Sequence, residues 1–184
     1  MSERNKKLVR QFFNDVVNQH DASALNNFVR FSNGGGTCGG RTFREMVLDP
    51  DVTRAGFLGR KRLVPGQSGK DEAPKKNDLE TFRDFTEHVL QAFPDMKVKI
   101  VSIFAEGDQV IVRWTATATH KGEFLGTAAT GRKVPWNNVD IFTVKDGKIV
   151  EVDAHPDTGG LLSALGHLPD TPLAQAFGAP PGKK

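Results

Sequence analysis

The dipeptide Asp146-Gly147, set between two runs of alternating apolar and polar residues, constrains this chain more than any other feature. An Asp-Gly pair takes the left-handed conformations that a tight hairpin turn requires. It therefore predicts two antiparallel strands, over residues 134–144 and 148–154. With a two-residue loop, Lys145 pairs with Lys148 and the register follows. Asp140 then falls opposite Asp153, Asn138 opposite His155 and Trp136 opposite Asp157.

Strand side chains alternate between faces. In this register one face carries Val139, Ile141, Val150, Val152 and Ala154, an ordinary buried set. The other carries Trp136, Asn138, Asp140, Phe142, Glu151, Asp153 and His155. Aromatic and ionisable side chains mixed on one face suit a pocket wall better than solvent or core. Directly opposed carboxylates lie roughly 5 Å apart at Cβ, so one of them should hold its proton to unusually high pH. A carboxyl group that is partly protonated near neutrality serves as a general acid or base. The expected catalytic set is Asp140, Asp153 and His155. Trp136, Asn138 and Phe142 are expected to contact substrate. Exposed aspartates on a sheet face more often serve solubility, and a one-residue slip would send every one of these side chains to the opposite face.

Upstream, the period changes at Pro94. Residues 98–104 and 110–119 alternate as strands around a turn at Glu106-Gly107-Asp108. Arg113 sits mid-strand between Val112 and Trp114. Burying an unpaired arginine is costly, so it is expected to face a carboxylate or the pocket. Trp114 and His120 complete the substrate-contact candidates, although the strand-end position of His120 also fits a loop residue. Before Pro94 the spacing is helical. Leu8, Phe12, Phe13, Val16 and Val17 form one apolar stripe, and Asp21 can cap a short second helix with Leu25, Phe28 and Val29. Asn77 and Glu80 form a capping box for a helix carrying Leu79, Phe82, Phe85, Val89, Leu90 and Phe93, which Pro94 ends. A last short helix is expected at 160–165. Helices followed by an antiparallel meander predict an α+β fold.

The length of 184 residues fits one domain over 1–184. Within it, residues 32–76 are rich in glycine and proline and read as a long loop insertion, with short ordered pieces near 42–48 and 54–58. A flexible tail is expected over about 170–184. The net charge of +3 is small, and its local concentration at Arg54, Arg60, Lys61 and Arg62 reads as a solvated loop, so no nucleic acid is expected. Cys38 is the sole cysteine, which excludes an internal disulfide. The N-terminus is polar and then amphipathic, and no apolar run reaches membrane-spanning length. A cytoplasmic protein without membrane contact is expected. His20, His88, His120, His155 and His167 show no metal-ligand spacing, so no metal is expected. Gly34-Gly35-Gly36 lacks the Lys-Ser/Thr ending of a phosphate-binding loop.

Several segments taken together resemble SnoaL-like polyketide cyclases. They are Thr119-His120-Lys121-Gly122-Glu123-Phe124-Leu125-Gly126, Thr130-Gly131-Arg132-Lys133-Val134, Val139-Asp140-Ile141-Phe142, Asp146-Gly147-Lys148-Ile149-Val150-Glu151, Ala92-Phe93-Pro94-Asp95 and the tail from Asp157 through Gly160-Leu161-Leu162 to Leu165-Gly166. With the N-terminal helix, the resemblance covers most of residues 5–30 and 75–169. It implies the nuclear transport factor two-like fold, a curved antiparallel sheet wrapped by helices into a cone. It also implies cofactor-free chemistry, a small hydrophobic organic substrate and a homodimer. Family cyclases close a ring by intramolecular aldol addition with an aspartate as acid/base, and Asp140 matches that aspartate. Three departures stand out. Relatives commonly carry tryptophan where this chain has Asp153, the Gly-rich insertion after Phe31 is longer than the family pattern implies, and relatives often have a histidine in the loop around Asp51–Gly56 where this chain has Arg54 and Ala55.

Three functions are compatible with these residues. The first is a cyclase or isomerase acting on a polyketide- or terpenoid-like carbonyl compound through Asp140. The second is an epoxide hydrolase of the limonene type, which shares the fold and uses an aspartate–arginine–aspartate set. Arg113 and Asp153 could supply two members, but Thr115 stands where the other aspartate is expected. The third is a non-catalytic protein that binds a small ligand, since a fold does not determine a function.

Overall fold

The computed structural model describes residues 2–31, 36–38, 41–42, 78–124 and 126–167. The expected loop pieces near 42–48 and 54–58, the Asn77 cap and the expected tail lie, wholly or nearly so, outside the described residues. In chain order the elements are α1 (Ser2–Phe12), which continues as a π-helical turn over Phe13–Asn18, α2 (Leu25–Phe28), β1 (Gly36–Cys38), β2 (Arg41–Thr42), α3 (Asp78–Ala92), β3 (Lys99–Glu106), β4 (Gln109–Thr119), β5 (Lys133–Lys145), β6 (Lys148–Pro156) and α4 (Thr158–Leu165).

The sheet order is β2-β1-β6-β5-β4-β3. The four long strands form the antiparallel meander expected from the alternating runs. β1 adds to the outside of β6 in parallel, a pairing that a three-residue strand does not announce. The β5–β6 turn is as expected. Asp146 and Gly147 both have positive φ (51° and 72°), the requirement of a type I′ hairpin.

One face of the sheet carries the core. On β4 the residues Val110, Val112, Trp114, Ala116 and Ala118 are all buried, and their intervening neighbours are exposed or half-buried. On β5 the same holds for Val134, Trp136, Asn138, Asp140, Phe142 and Val144. Helices α1 to α3 cover this face. Phe12 and Phe13 meet Phe142 edge-on at 5.6 and 5.8 Å. Asp21 accepts from the Ser23 backbone N–H and so starts the short helical segment that carries buried Leu25 and Phe28.

The C-terminal end of α3 is tied to the loop after β4. The backbone N–H groups of Lys121 and Gly122 both donate to the Ala92 carbonyl, at 2.8 and 3.1 Å. A Cβ at Gly122 would come within 2.9 Å of the Ala92 Cα, so the close approach requires glycine. α4 starts at an Asp157 cap on Gly160 and ends at Gly166 (φ 90°).

Candidate active site

The β5 half of the expected pocket wall forms as read, and the β6 half does not. Lys145 pairs with Lys148 and Val144 with Ile149, but Thr143 then pairs with Glu151. Val150 is the extra residue of a β-bulge. From there on the register is shifted by one. Asp140 lies opposite Ala154, Asn138 opposite Pro156 and Phe142 opposite Val152. Asp153 lies opposite Ile141 and His155 opposite Val139, on the outer face. The expected facing pair of Asp140 and Asp153 is therefore corrected: the two carboxylates occupy opposite faces of the sheet. Asp153 instead meets the His155 imidazole at 3.0 Å, with both side chains substantially exposed.

Arg113 requires the same correction. It occupies an outward position on β4, between Ser102 on β3 and Val139 on β5, and is exposed. His120 is a loop residue, as its plainer reading held, but a buried one. It stacks on Phe93 with centroids 5.3 Å apart, its Nδ1 lies 3.1 Å from Thr130 Oγ1, and it is not among the pocket-lining residues. Burial pushes its imidazole below the ordinary value of 6.5.

The cavity itself opens between the sheet and the helices. Trp114, Trp136, Asn138, Asp140 and Phe142 form its sheet wall. Facing them are Phe12 and Phe13 from the N-terminal helix, several residues of α3 including Phe82 and Phe85, and Met96 and Phe124 from loops. Sequence periodicity identifies the helical residues as apolar stripes, but it does not separate those that fill core from those that line a cavity. Among the described lining residues Asp140 is the only ionisable side chain.

Asp140 is 6% exposed. Its Oδ2 accepts a 2.6 Å hydrogen bond from the Trp114 indole N–H, and its Oδ1 has no hydrogen-bond partner among the described residues. Burial pushes its carboxyl up from 3.8 to about 7. The Trp114 bond and the Asn138 side chain oppose that rise, as does the charge of His155 through the sheet, while Asp153 adds slightly to it. The Asn138 Oδ1 and Trp136 Nε1 atoms are likewise buried without partners. Buried polar groups are normally paired, and three unpaired ones on alternate residues of one strand mark a place where a polar ligand edge can bind. No group of three or more histidine, cysteine, aspartate or glutamate side chains suited to a metal occurs among the described residues.

A family model for SnoaL-like polyketide cyclases matches residues 68–165, more than half of the chain. The chain belongs to this family. No curated protein matches it. AclR from Streptomyces galilaeus, a hydroxylase candidate, has 26% identity and a TM-score of 0.63, with 92% of this chain and 100% of AclR covered. A SnoaL-like polyketide cyclase candidate from Jannaschia sp. CCS1 is 18% identical with a TM-score of 0.63, covering 92% and 96% of the two chains. IdmH from Streptomyces antibioticus, a polyketide cyclase candidate, is 23% identical with a TM-score of 0.57, covering 88% and 98%. At those identities the last two establish the fold, the cone-shaped α+β architecture expected from the resemblance. Membership in the SnoaL-like family points to a cyclase-type enzymatic role. No helix among the described residues is long and apolar enough to cross a membrane.

Proposed function

We propose that this SnoaL-like protein catalyses an acid/base reaction, an aldol-type cyclisation or an isomerisation, on an apolar carbonyl compound of polyketide or terpenoid type, with Asp140 as the acid/base. The observation that carries this reading is a single ionisable group in an apolar cavity, raised to about 7 by burial. A base of that strength is partly ionised at neutral pH, and its conjugate acid can return the proton.

In the cyclisation, Asp140 Oδ1 removes a proton alpha to a carbonyl and the C–H electrons become an enolate. The enolate carbon attacks a second carbonyl of the same molecule and forms the new C–C bond. The resulting alkoxide takes the proton back from Asp140. The reaction balances without an external oxidant or reductant, in keeping with the cofactor-free chemistry that the resemblance implies. The unpaired Trp136 indole N–H is suited to donate to the oxyanion, and Asn138 to hold a substrate hydroxyl. The outward position of Arg113 removes the arginine from the aspartate–arginine–aspartate set of an epoxide hydrolase.

The test is proton exchange at the alpha carbon of aromatic 1,3-dicarbonyl probes in deuterated water, followed by NMR. The wild type should accelerate exchange, and Asp140→Asn should lower the rate by about 10²–10⁴-fold. Equal rates for the two proteins would overturn the assignment and favour a binding protein without turnover. The outer sheet face bears on assembly. Phe104 is 64% exposed and pairs with half-exposed Ile111, which neighbours Ile141. That apolar strip suits a homodimer, which light scattering that gave a monomer mass would contradict.

A further inference from the structure

The chain has two tryptophans, and both stand on the sheet wall of the cavity. Their indole N–H groups differ in one respect. That of Trp136 has no partner among the described residues, and that of Trp114 is bound to Asp140 Oδ2 at 2.6 Å. We propose that Trp114 is a positioning residue that holds Oδ2 of Asp140 and leaves Oδ1 as the oxygen that exchanges the proton with substrate. The inference rests on Asp140 being the acid/base.

The geometry is constrained from two sides. Trp114 pairs with Asn138 across β4 and β5, and Asp140 pairs with Val112, so the indole reaches the carboxyl on a cross-strand diagonal. The ring is braced edge-on by Phe13 at 5.9 Å, and Phe13 also meets Phe142 at 5.8 Å. Phe142 and Asp140 are next neighbours on the same face of β5. Rotation of the indole away from the carboxyl would therefore disturb the aromatic contacts that cover the cavity.

An indole N–H donates and never accepts. The carbonyl oxygen of a protonated carboxyl is a far better acceptor than its hydroxyl oxygen, so the indole bond to Oδ2 favours the acidic proton on Oδ1, the oxygen with no other partner among the described residues. The same bond favours the ionised carboxyl and is the largest influence opposing burial. The other charges acting on Asp140 are His155 and Asp153, which face outward on β6. The described lining residues of the N-terminal helix and α3 are uncharged. Trp114 thus holds the group within reach of neutrality as well as orienting it.

The experiment follows the two indole N–H resonances of the ligand-free full chain by ¹⁵N NMR as pH is raised, beside the Asp140 carboxyl carbon. Either Trp114→Phe or Trp136→Phe assigns the two signals, so a fold-disrupting variant does not block the measurement. The Trp114 signal should move with the midpoint of Asp140, and that movement should vanish in Asp140→Asn. Trp114→Phe should raise the Asp140 midpoint by about one unit, and on the acid side of the profile kcat should fall about tenfold with little change in KM. A Trp114 signal that stays flat through a near-neutral Asp140 transition overturns this inference and leaves the acid/base reading intact. An Asp140 that titrates as an ordinary carboxyl overturns the acid/base reading itself.

Discussion

β5 and β6 are neighbouring strands of one hairpin, and each carries an aspartate. On β5 it faces inward, where Asp140 is 6% exposed beneath the helices. On β6 it faces outward, where Asp153 and His155 pair with each other in contact with solvent. One residue, the bulged Val150, separates the two outcomes. It directs Val152 and Ala154 to the interior and turns Asp153 and His155 outward. Burial, and not residue type, is what makes one of the two aspartates a candidate for chemistry.

The largest expected effect comes from erasing that difference. Val152→Asp puts a carboxylate on the inner face of β6, opposite Phe142 at a position that is 4% exposed. Loss of more than about 4 kcal/mol in chemical denaturation, or loss of soluble folded protein, is expected. Normal stability in this variant would mean that the two strands do not sort their faces in this way.

A smaller effect follows from relieving the buried carboxyl. The folded Asp140 has its carboxyl raised to about 7 from 3.8, so between these values the native state binds more protons than the unfolded one. Stability contributed at Asp140 is thus fully present below about 4, declines as pH rises to about 7, and is level above that. Asp140→Asn should be indistinguishable from wild type by this effect at acid pH and relatively more stable above neutrality, by a few kcal/mol. Urea unfolding at acid and alkaline pH checks it, and a constant difference across pH would contradict it.

The smallest effect belongs to the outer face. Asp153→Asn and His155→Ala should each change stability by less than about 0.5 kcal/mol and leave turnover within about twofold. A loss of turnover comparable to that of Asp140→Asn would place the outer pair in the chemistry after all.

The inner face of β5 is legible in the sequence because its alternation is unbroken from Val134 to Val144. The same alternation on β4 already places Arg113 opposite to Val112 and Trp114, so the arginine's outward position was available from pattern alone. β6 misleads because a bulge changes register without changing composition. Its trace is the adjacent pair Ile149-Val150, both buried, where a regular strand would alternate. The burial of His120 depends on the loop after β4 folding back on α3, a contact between distant segments that no local pattern encodes. The Asp140–Trp114 bond is also a cross-strand relation. It becomes visible only once the β4–β5 register is known.

The most direct test of the account is the titration of the Asp140 carboxyl carbon by ¹³C NMR in the ligand-free protein, with Asp140→Asn to assign the signal. The account predicts a midpoint of about 7, set by burial in an apolar cavity. A midpoint at the ordinary 3.8 would show a solvated carboxylate and contradict both the pocket and the chemistry assigned to it.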